Sequence, residues 1–253
     1  TIVPSGDGSF LALVKLPEIG KQVLEVKMQS SAGATKTSKM RIVRKATAAD
    51  VPESSFASRA INDLLTIGAI APVSGNLFEP KKSISRAELA QLINNVKKPP
   101  VQSGPILYAD VPANALYANA VNAVGKAGWI LPFADGRFHP QGTISRGEAA
   151  AVLCKVNDIQ ISAEAPDEVF SDVSSAHPYV GAIAAAVEQG LISVEDDNFN
   201  PDEALDRATA ALWFSTIPEV KREIRSLQNW NEGFGMGDLS SGAGDLENQL
   251  VVD

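Results

Sequence analysis

The chain has 253 residues, 45% of them apolar, with 22 Lys and Arg against 30 Asp and Glu and a net charge of −8. This composition excludes a disordered chain, and no run of about 18 uncharged apolar residues is present to cross a bilayer. An isoelectric point of 4.9 argues against a nucleic-acid partner, because phosphate binding needs a basic footprint. The single cysteine, Cys154, excludes an internal disulfide and a Cys-rich zinc site. The chain opens at Thr1 without a basic or apolar leader, so we expect either a removed secretory signal or a piece of a longer polypeptide.

Residues 1–47 alternate around Leu11 to Leu16, Val23 to Met28 and Met40 to Val43, with breaks at Pro17 to Lys21 and at Ala32-Gly33-Ala34. That pattern predicts three β-strands. Their order resembles the closing strands of a bacterial immunoglobulin-like domain, and such a sandwich needs about 100 residues, so missing strands or a borrowed edge are expected. This segment carries a net +5. A solvated strand face accounts for it, as does contact with an acidic surface.

From Asp50 onward the sequence repeats. Phe78-Glu79-Pro80, Phe138-His139-Pro140 and Phe199-Asn200-Pro201 recur at 60 and 61 residues, each Phe lying eight residues before Arg86, Arg146 or Arg207. Asp50, Asp110 and Asp172 each lie 18 residues before a glycine, at Gly68, Gly128 and Gly190. The units occupy residues 48–98, 108–157 and 170–217.

Within each unit, apolar residues at helical spacing (Ile61, Leu64 and Leu65; Val121 and Val124; Ile183 and Val187) predict a first helix, which the glycine ends. A turn then leads into Phe-x-Pro, read as an extended anchor whose Phe is a buried peg. Ser85, Ser145 and Asp206 start a second helix, and Glu88 and Glu148 three residues on predict capping boxes; Thr209 in the third unit does not. Three helical hairpins of this size cannot each bury a core alone, so they should pack together with Cys154 inside. After residue 217, Val220 to Leu227 predicts a short helix. A flexible, acidic, Gly/Ser-rich stretch follows through residue 253, with Trp230 and Phe234 as docking residues and Leu250-Val251-Val252 as a candidate strand.

The three copies, with Ile84-Ser85-Arg86-Ala87-Glu88 and Ile144-Ser145-Arg146-Gly147-Glu148 at their centres, resemble the S-layer homology (SLH) domain over about residues 49–217. The resemblance implies a mainly α fold, a pseudo-threefold bundle of three SLH repeats within one chain. It also implies binding of a secondary cell-wall polysaccharide, often pyruvylated, in grooves between repeats.

Independently, a guanidinium beside helix-start N–H groups suits a carboxylate. The candidate ligand-binding residues are Arg86 and Arg146, with Ser85 and Ser145 as hydroxyl donors and Glu88 and Glu148 holding the guanidinium or the cap. Asp50, Asp110, Tyr117 and Tyr179 complete the set, the tyrosines standing where the family often has Trp; the first repeat has Ala57 there and Phe56 one place earlier. Each Arg equally fits an ion pair that stabilises the bundle, and the resemblance favours the ligand role. Residues 170–217 carry −7 against +1 for residues 49–98. Arg207 is therefore expected to be mainly structural, Arg207 and Asp172 rank last among the ligand-binding candidates, and an anionic polymer should favour the first two repeats.

His139 and His177, expected at the surface, fit no catalytic motif, and Glu195-Asp196-Asp197-Asn198 fails as a calcium loop because Pro201 and Arg207 occupy positions that need Gly and Glu. We expect no catalytic residue, metal or cofactor. The expected role is non-covalent anchoring of an extracellular surface protein to the bacterial cell wall through a glycan. The alternative is a structural subunit of an S-layer or surface filament that uses its repeats for self-assembly.

Overall fold

The structure, a computed structural model, describes residues 2, 5, 6, 10, 12–30, 32–100, 105–162, 170–193 and 197–232. The chain is mainly helical with one small antiparallel sheet. It divides into two units, one of Thr1–Lys45 with Arg225–Asp253 and one of Ala46–Ile224. Among the described residues no helix is long and apolar enough to cross a membrane.

In the first unit β1 (Gly20–Gln29) pairs antiparallel with β2 (Thr35–Arg44), from Gly20 opposite Arg44 to Gln29 opposite Thr35. Gly33 closes the turn at φ +84°, and its N–H donates to the Ser30 carbonyl at 2.9 Å. Side chains of β1 alternate strictly between exposed and half-buried, as a pleated strand with one covered face requires.

The third expected strand does not form over the described residues 12–16. Arg44 donates instead to the carbonyls of Leu16 and Pro17 at 2.8 and 3.1 Å, and Pro17 has no N–H to offer a ladder. Over the described residues this segment builds a two-stranded hairpin.

Helix α7 (Pro218–Glu232) is longer than the expected Val220 to Leu227, because Pro218 pre-sets the first turn and Glu219 favours its positive end. Its second half lies with the hairpin. Trp230 Nε1 donates to the Gln22 carbonyl at 3.3 Å, and the ring sits under Arg41 at 4.7 Å and Lys21 at 5.3 Å. The expectations for Gly233 to Gly244, Phe234 and Leu250 to Val252 lie outside the described residues, as do Leu11, Glu195 and Asp196.

Among the described residues of the second unit, helices form three similar pairs: α1 (Ser58–Thr66) and α2 (Arg86–Lys97), α3 (Ala118–Lys126) and α4 (Arg146–Val156), α5 (Val180–Glu188) and α6 (Arg207–Phe214). Each first helix ends at a glycine in the left-handed region, Gly68 and Gly128 at φ +70° and Gly190 at +64°. The pegs Phe78, Phe138 and Phe199 are buried, each worth about 1.5–3 kcal/mol of hydrophobic stabilisation.

The residue after each peg is not extended as expected. Glu79, His139 and Asn200 adopt φ of +56°, +52° and +55°, which costs a non-glycine residue roughly 1–2 kcal/mol. The opening aspartates hold these turns in place. Asp50 accepts from the N–H groups of Phe78 and Glu79 at 2.8 and 2.7 Å, Asp110 from Phe138 and His139 at 3.1 and 2.7 Å, and Asp172 from Phe199 and Asn200 at 2.7 and 2.6 Å.

Helices pack most closely across repeats rather than within them. α2 packs on α3, α4 on α5 and α6 on α1, so three exchanged pairs close a ring. At its centre the buried residues before the caps link in sequence: Ile84 N–H donates to the Leu205 carbonyl and Leu205 N–H to the Ile144 carbonyl, both at 2.9 Å.

Candidate functional site

The second helix of each repeat begins at a cap that fixes the following arginine. Ser85 and Glu88 form a full capping box, the Glu88 carboxylate accepting from Ser85 N–H at 2.9 Å. Ser145 accepts from Glu148 N–H, but Glu148 turns its carboxylate to Arg86, so the expected second box is only half made. Asp206 accepts from Thr209 N–H at 2.7 Å and from the Thr209 hydroxyl at 3.0 Å.

The N–H groups at these helix starts are taken up by the next repeat. Arg86 and Ala87 donate to the carbonyls of Gly142 and Pro140, Arg146 and Gly147 to those of Glu203 and Pro201, and Arg207 and Ala208 to those of Lys82 and Pro80. They are spent on closing the ring.

The guanidinium groups point the same way. Arg207, 1% exposed, donates from Nε to the Phe78 carbonyl at 2.8 Å, from one terminal nitrogen to Glu88 at 2.6 Å and from the other to the Ala71 carbonyl at 2.8 Å. Arg86, 0% exposed, repeats the pattern with the Phe138 carbonyl, Glu148 and the Leu131 carbonyl. Each also lies over an aromatic ring, Phe78 for Arg207 and Phe133 for Arg86, at 4.5 Å. Burial pushes the Arg207 guanidinium below its ordinary pKa, and Glu88 offsets part of that.

Arg146 differs. Its Nε donates to the Phe199 carbonyl at 2.6 Å, as in the other repeats, but Thr209 stands where Glu88 and Glu148 receive the other arginines. It is half-buried and lines a cleft of about 310 Å³. Phe199 and Trp213, stacked 15° apart with centroids at 5.7 Å, form an aromatic wall, and their rings lie 5.0 and 5.1 Å from the guanidinium. Phe170 and Thr209 of the third repeat and Phe56 of the first are among its other lining residues.

Tyr117 and Tyr179 are half-buried and occupy the N-cap positions of α3 and α5. Tyr179 packs over Gly147, where an added Cβ would lie 2.9 Å from the ring, which accounts for glycine at a position that is alanine in both other repeats. Burial pushes the tyrosine's pKa up.

His177 is not a plain surface residue. Its Nδ1 accepts from Tyr179 N–H at 3.2 Å and its Nε2 lies 3.4 Å from Asp202. Cys154 lies in the core, where burial pushes its thiol up to about 11.

For Asp50, Asp110 and Asp172, burial acts to raise the pKa, but the backbone donors outweigh it and each sits below the usual carboxylate value. Sequence reasoning missed Trp213, Phe133 and Phe170. The repeat register carried a signal for Phe170 alone: it and Tyr108 both stand two residues before the opening Asp, and they pack on their pegs at 5.2 and 5.3 Å.

A ring of three helix pairs, tied by arginines at the helix starts, is the fold of three S-layer homology domains, and the chain belongs to that family. The family matches residues 49–90, 107–150 and 169–211, together about half of the chain.

Over 173 residues the chain is 30% identical to the surface-layer 125 kDa protein of Lysinibacillus sphaericus, covering 66% of this chain and 14% of that protein. It is 27% identical over 168 residues to the S-layer protein sap of Bacillus anthracis, covering 66% of this chain and 20% of that protein. A third similarity, 27% over 108 residues, is to the exoglucanase XynX of Acetivibrio thermocellus, covering 41% of this chain and 10% of that enzyme. The chain thus spans a fifth or less of the length of these relatives.

Proposed function

We propose that the three repeats anchor a protein non-covalently at the bacterial cell surface by binding an acidic secondary cell-wall glycan, and that the Arg146 cleft is the binding groove. One observation carries this reading: Arg146 lines an open, aromatic-walled cleft, whereas Arg86 and Arg207 are sealed in clasps between repeats. A guanidinium in a partly desolvated cleft binds a sugar carboxylate through charge-assisted hydrogen bonds, roughly twice as strong as neutral ones. Arg86 and Arg207, with Glu148 and Glu88, then act through shape, holding the repeats so that the cleft keeps its form. Ser85, Ser145 and the three opening aspartates support the same frame. The segment works as a binding module rather than an enzyme, and similarity to both S-layer proteins and an exoglucanase supports a role independent of what the rest of a polypeptide does.

Co-sedimentation with purified cell-wall sacculi tests this. The chain should pellet with sacculi that keep their secondary polymer and stay in the supernatant with sacculi stripped by hydrofluoric acid. Equal pelleting with both would refute the glycan as ligand. A second reading, that the chain is also an assembling S-layer subunit, draws on the surface-layer relatives. It predicts a sedimentation coefficient that rises with protein concentration, and a constant monomer value would reject it.

A further inference from the structure

We infer that the outer edge of β2 is a docking site for the chain's own C-terminal residues 246–253, which add there as a third strand and close the hairpin. Over the described residues the hairpin is unfinished. Its sheet has two strands, so each has one outer edge without a ladder partner among those residues, and a lone two-stranded hairpin is marginal in water. Buried apolar side chains among the described residues run from Ala46 to Val220, and none belongs to the hairpin. The register sets Leu24, Val26, Met28, Met40 and Ile42 on one face. Four of them are only half-buried, and Met40 is 37% exposed.

Charge selects the occupant and the edge. β2 carries Lys36, Lys39, Arg41 and Arg44 and no acid, whereas β1 has two lysines and Glu25. Residues 233–253 hold four acids, Asp238, Asp245, Glu247 and Asp253, and no Lys or Arg. Opposite charges facing each other across a ladder stabilise a strand pair, and like charges oppose it. An acidic strand therefore fits β2 better than β1, and the basic hairpin of a second copy fits it worse.

Pattern and reach agree with this choice. Leu246, Leu250 and Val252 alternate with Glu247, Gln249 and Asp253, Asn248 and Val251 being the departures. In a third strand the first set extends the apolar face of Met40 and Ile42, and the second lies on the face of Lys39 and Arg41. Helix α7 brings the chain to the hairpin: Lys21 Nζ donates to the Ser226 hydroxyl at 2.7 Å, and Trp230 Nε1 to the Gln22 carbonyl at 3.3 Å. The residues from Gly233 to Asp245 span at most about 45 Å when extended. That exceeds the roughly 33 Å length of a strand like β2. An open edge is a template for pairing with other chains, so closing it with the chain's own end guards against edge-to-edge association.

Amide hydrogen exchange, read residue by residue on the full chain, is the test. Amides of residues 247–252 should exchange at least about tenfold more slowly than in a free peptide of residues 246–253, with a protection independent of protein concentration. Exchange at the free-peptide rate overturns the inference. Protection that rises with protein concentration assigns the edge to a second copy and overturns it as well. In a chain ending at Asp245, the β2 amides should exchange about tenfold faster while those of α2 keep their parent rate. Unchanged β2 rates, or a change confined to β1, overturn the assignment of the edge. If the shortened chain loses protection across the whole hairpin, adding the 246–253 peptide should restore it and a shuffled peptide of the same composition should not. Failure to rescue, or equal rescue by both peptides, overturns the strand.

Discussion

The arginine that opens each second helix is one residue type in one sequence context, yet it serves two structural ends. Arg207 and Arg86 are buried and give three hydrogen bonds each to the following repeat, while Arg146 faces a cleft. Arg207→Ala leaves Glu88 and two carbonyls without their donor. Breaking a buried pair in this way typically costs about 3–5 kcal/mol, which urea denaturation should register as a lower midpoint at unchanged slope.

Gly147→Ala is a finer test. Alanine gains roughly 0.5–1 kcal/mol of helix propensity, but its Cβ would sit 2.9 Å from the Tyr179 ring and 3.2 Å from the Pro201 carbonyl oxygen. Overpacking of this kind costs about 1–3 kcal/mol, so the variant should be less stable than the parent by thermal denaturation.

The opening aspartates set an acid limit. Their folded pKa values lie below the ordinary 3.8, so their contribution is present above that value and is lost as pH falls through the folded values. Asp110→Asn should be less stable at neutral pH and should lose less stability than the parent between pH 5 and pH 2 in an acid titration followed by circular dichroism.

At the scale of elements, the sequence made the helices legible and their partners illegible. Ser85, Ser145 and Asp206 mark helix starts because a side-chain oxygen must satisfy an otherwise orphaned N–H, and the structure begins α2, α4 and α6 one residue later. Gly68, Gly128 and Gly190 marked the ends for an equally local reason. Nothing local says that α2 packs on α3 rather than α1, since a 3.6-residue periodicity shows that a face is buried but not against what. The same limit hid the cleft, whose Arg146, Phe56 and Trp213 lie far apart in sequence.

The hairpin shows the converse error. Alternation alone promised a strand at Leu11 to Leu16, and Pro17 with the Arg44 contacts removed it over the described residues. Cap chemistry can be checked directly: Ser85→Ala should cost about 1 kcal/mol, because it removes the hydroxyl that accepts from Glu88 N–H and donates to the Glu88 carboxylate, and the loss should appear as a lower thermal midpoint.

For the repeats as a whole, the exchange of helix partners means that no repeat holds a complete pair. Deleting residues 170–217 should therefore leave α1 and α4 without α6 and α5, and the shortened chain should lose cooperative unfolding. A chain of independent hairpins would lose only about a third of its helical signal. That closure is also what brings Phe56, Arg146 and Trp213 to one cleft, so anchoring and folding are predicted to fail together on deletion and to separate in Arg146→Ala.

The most direct test uses the three tryptophans. In an amide spectrum of the ¹⁵N-labelled chain, adding released wall polymer should shift the indole signal of Trp213 and leave those of Trp129 and Trp230 in place. Binding that leaves Trp213 unmoved would contradict the assignment of the cleft.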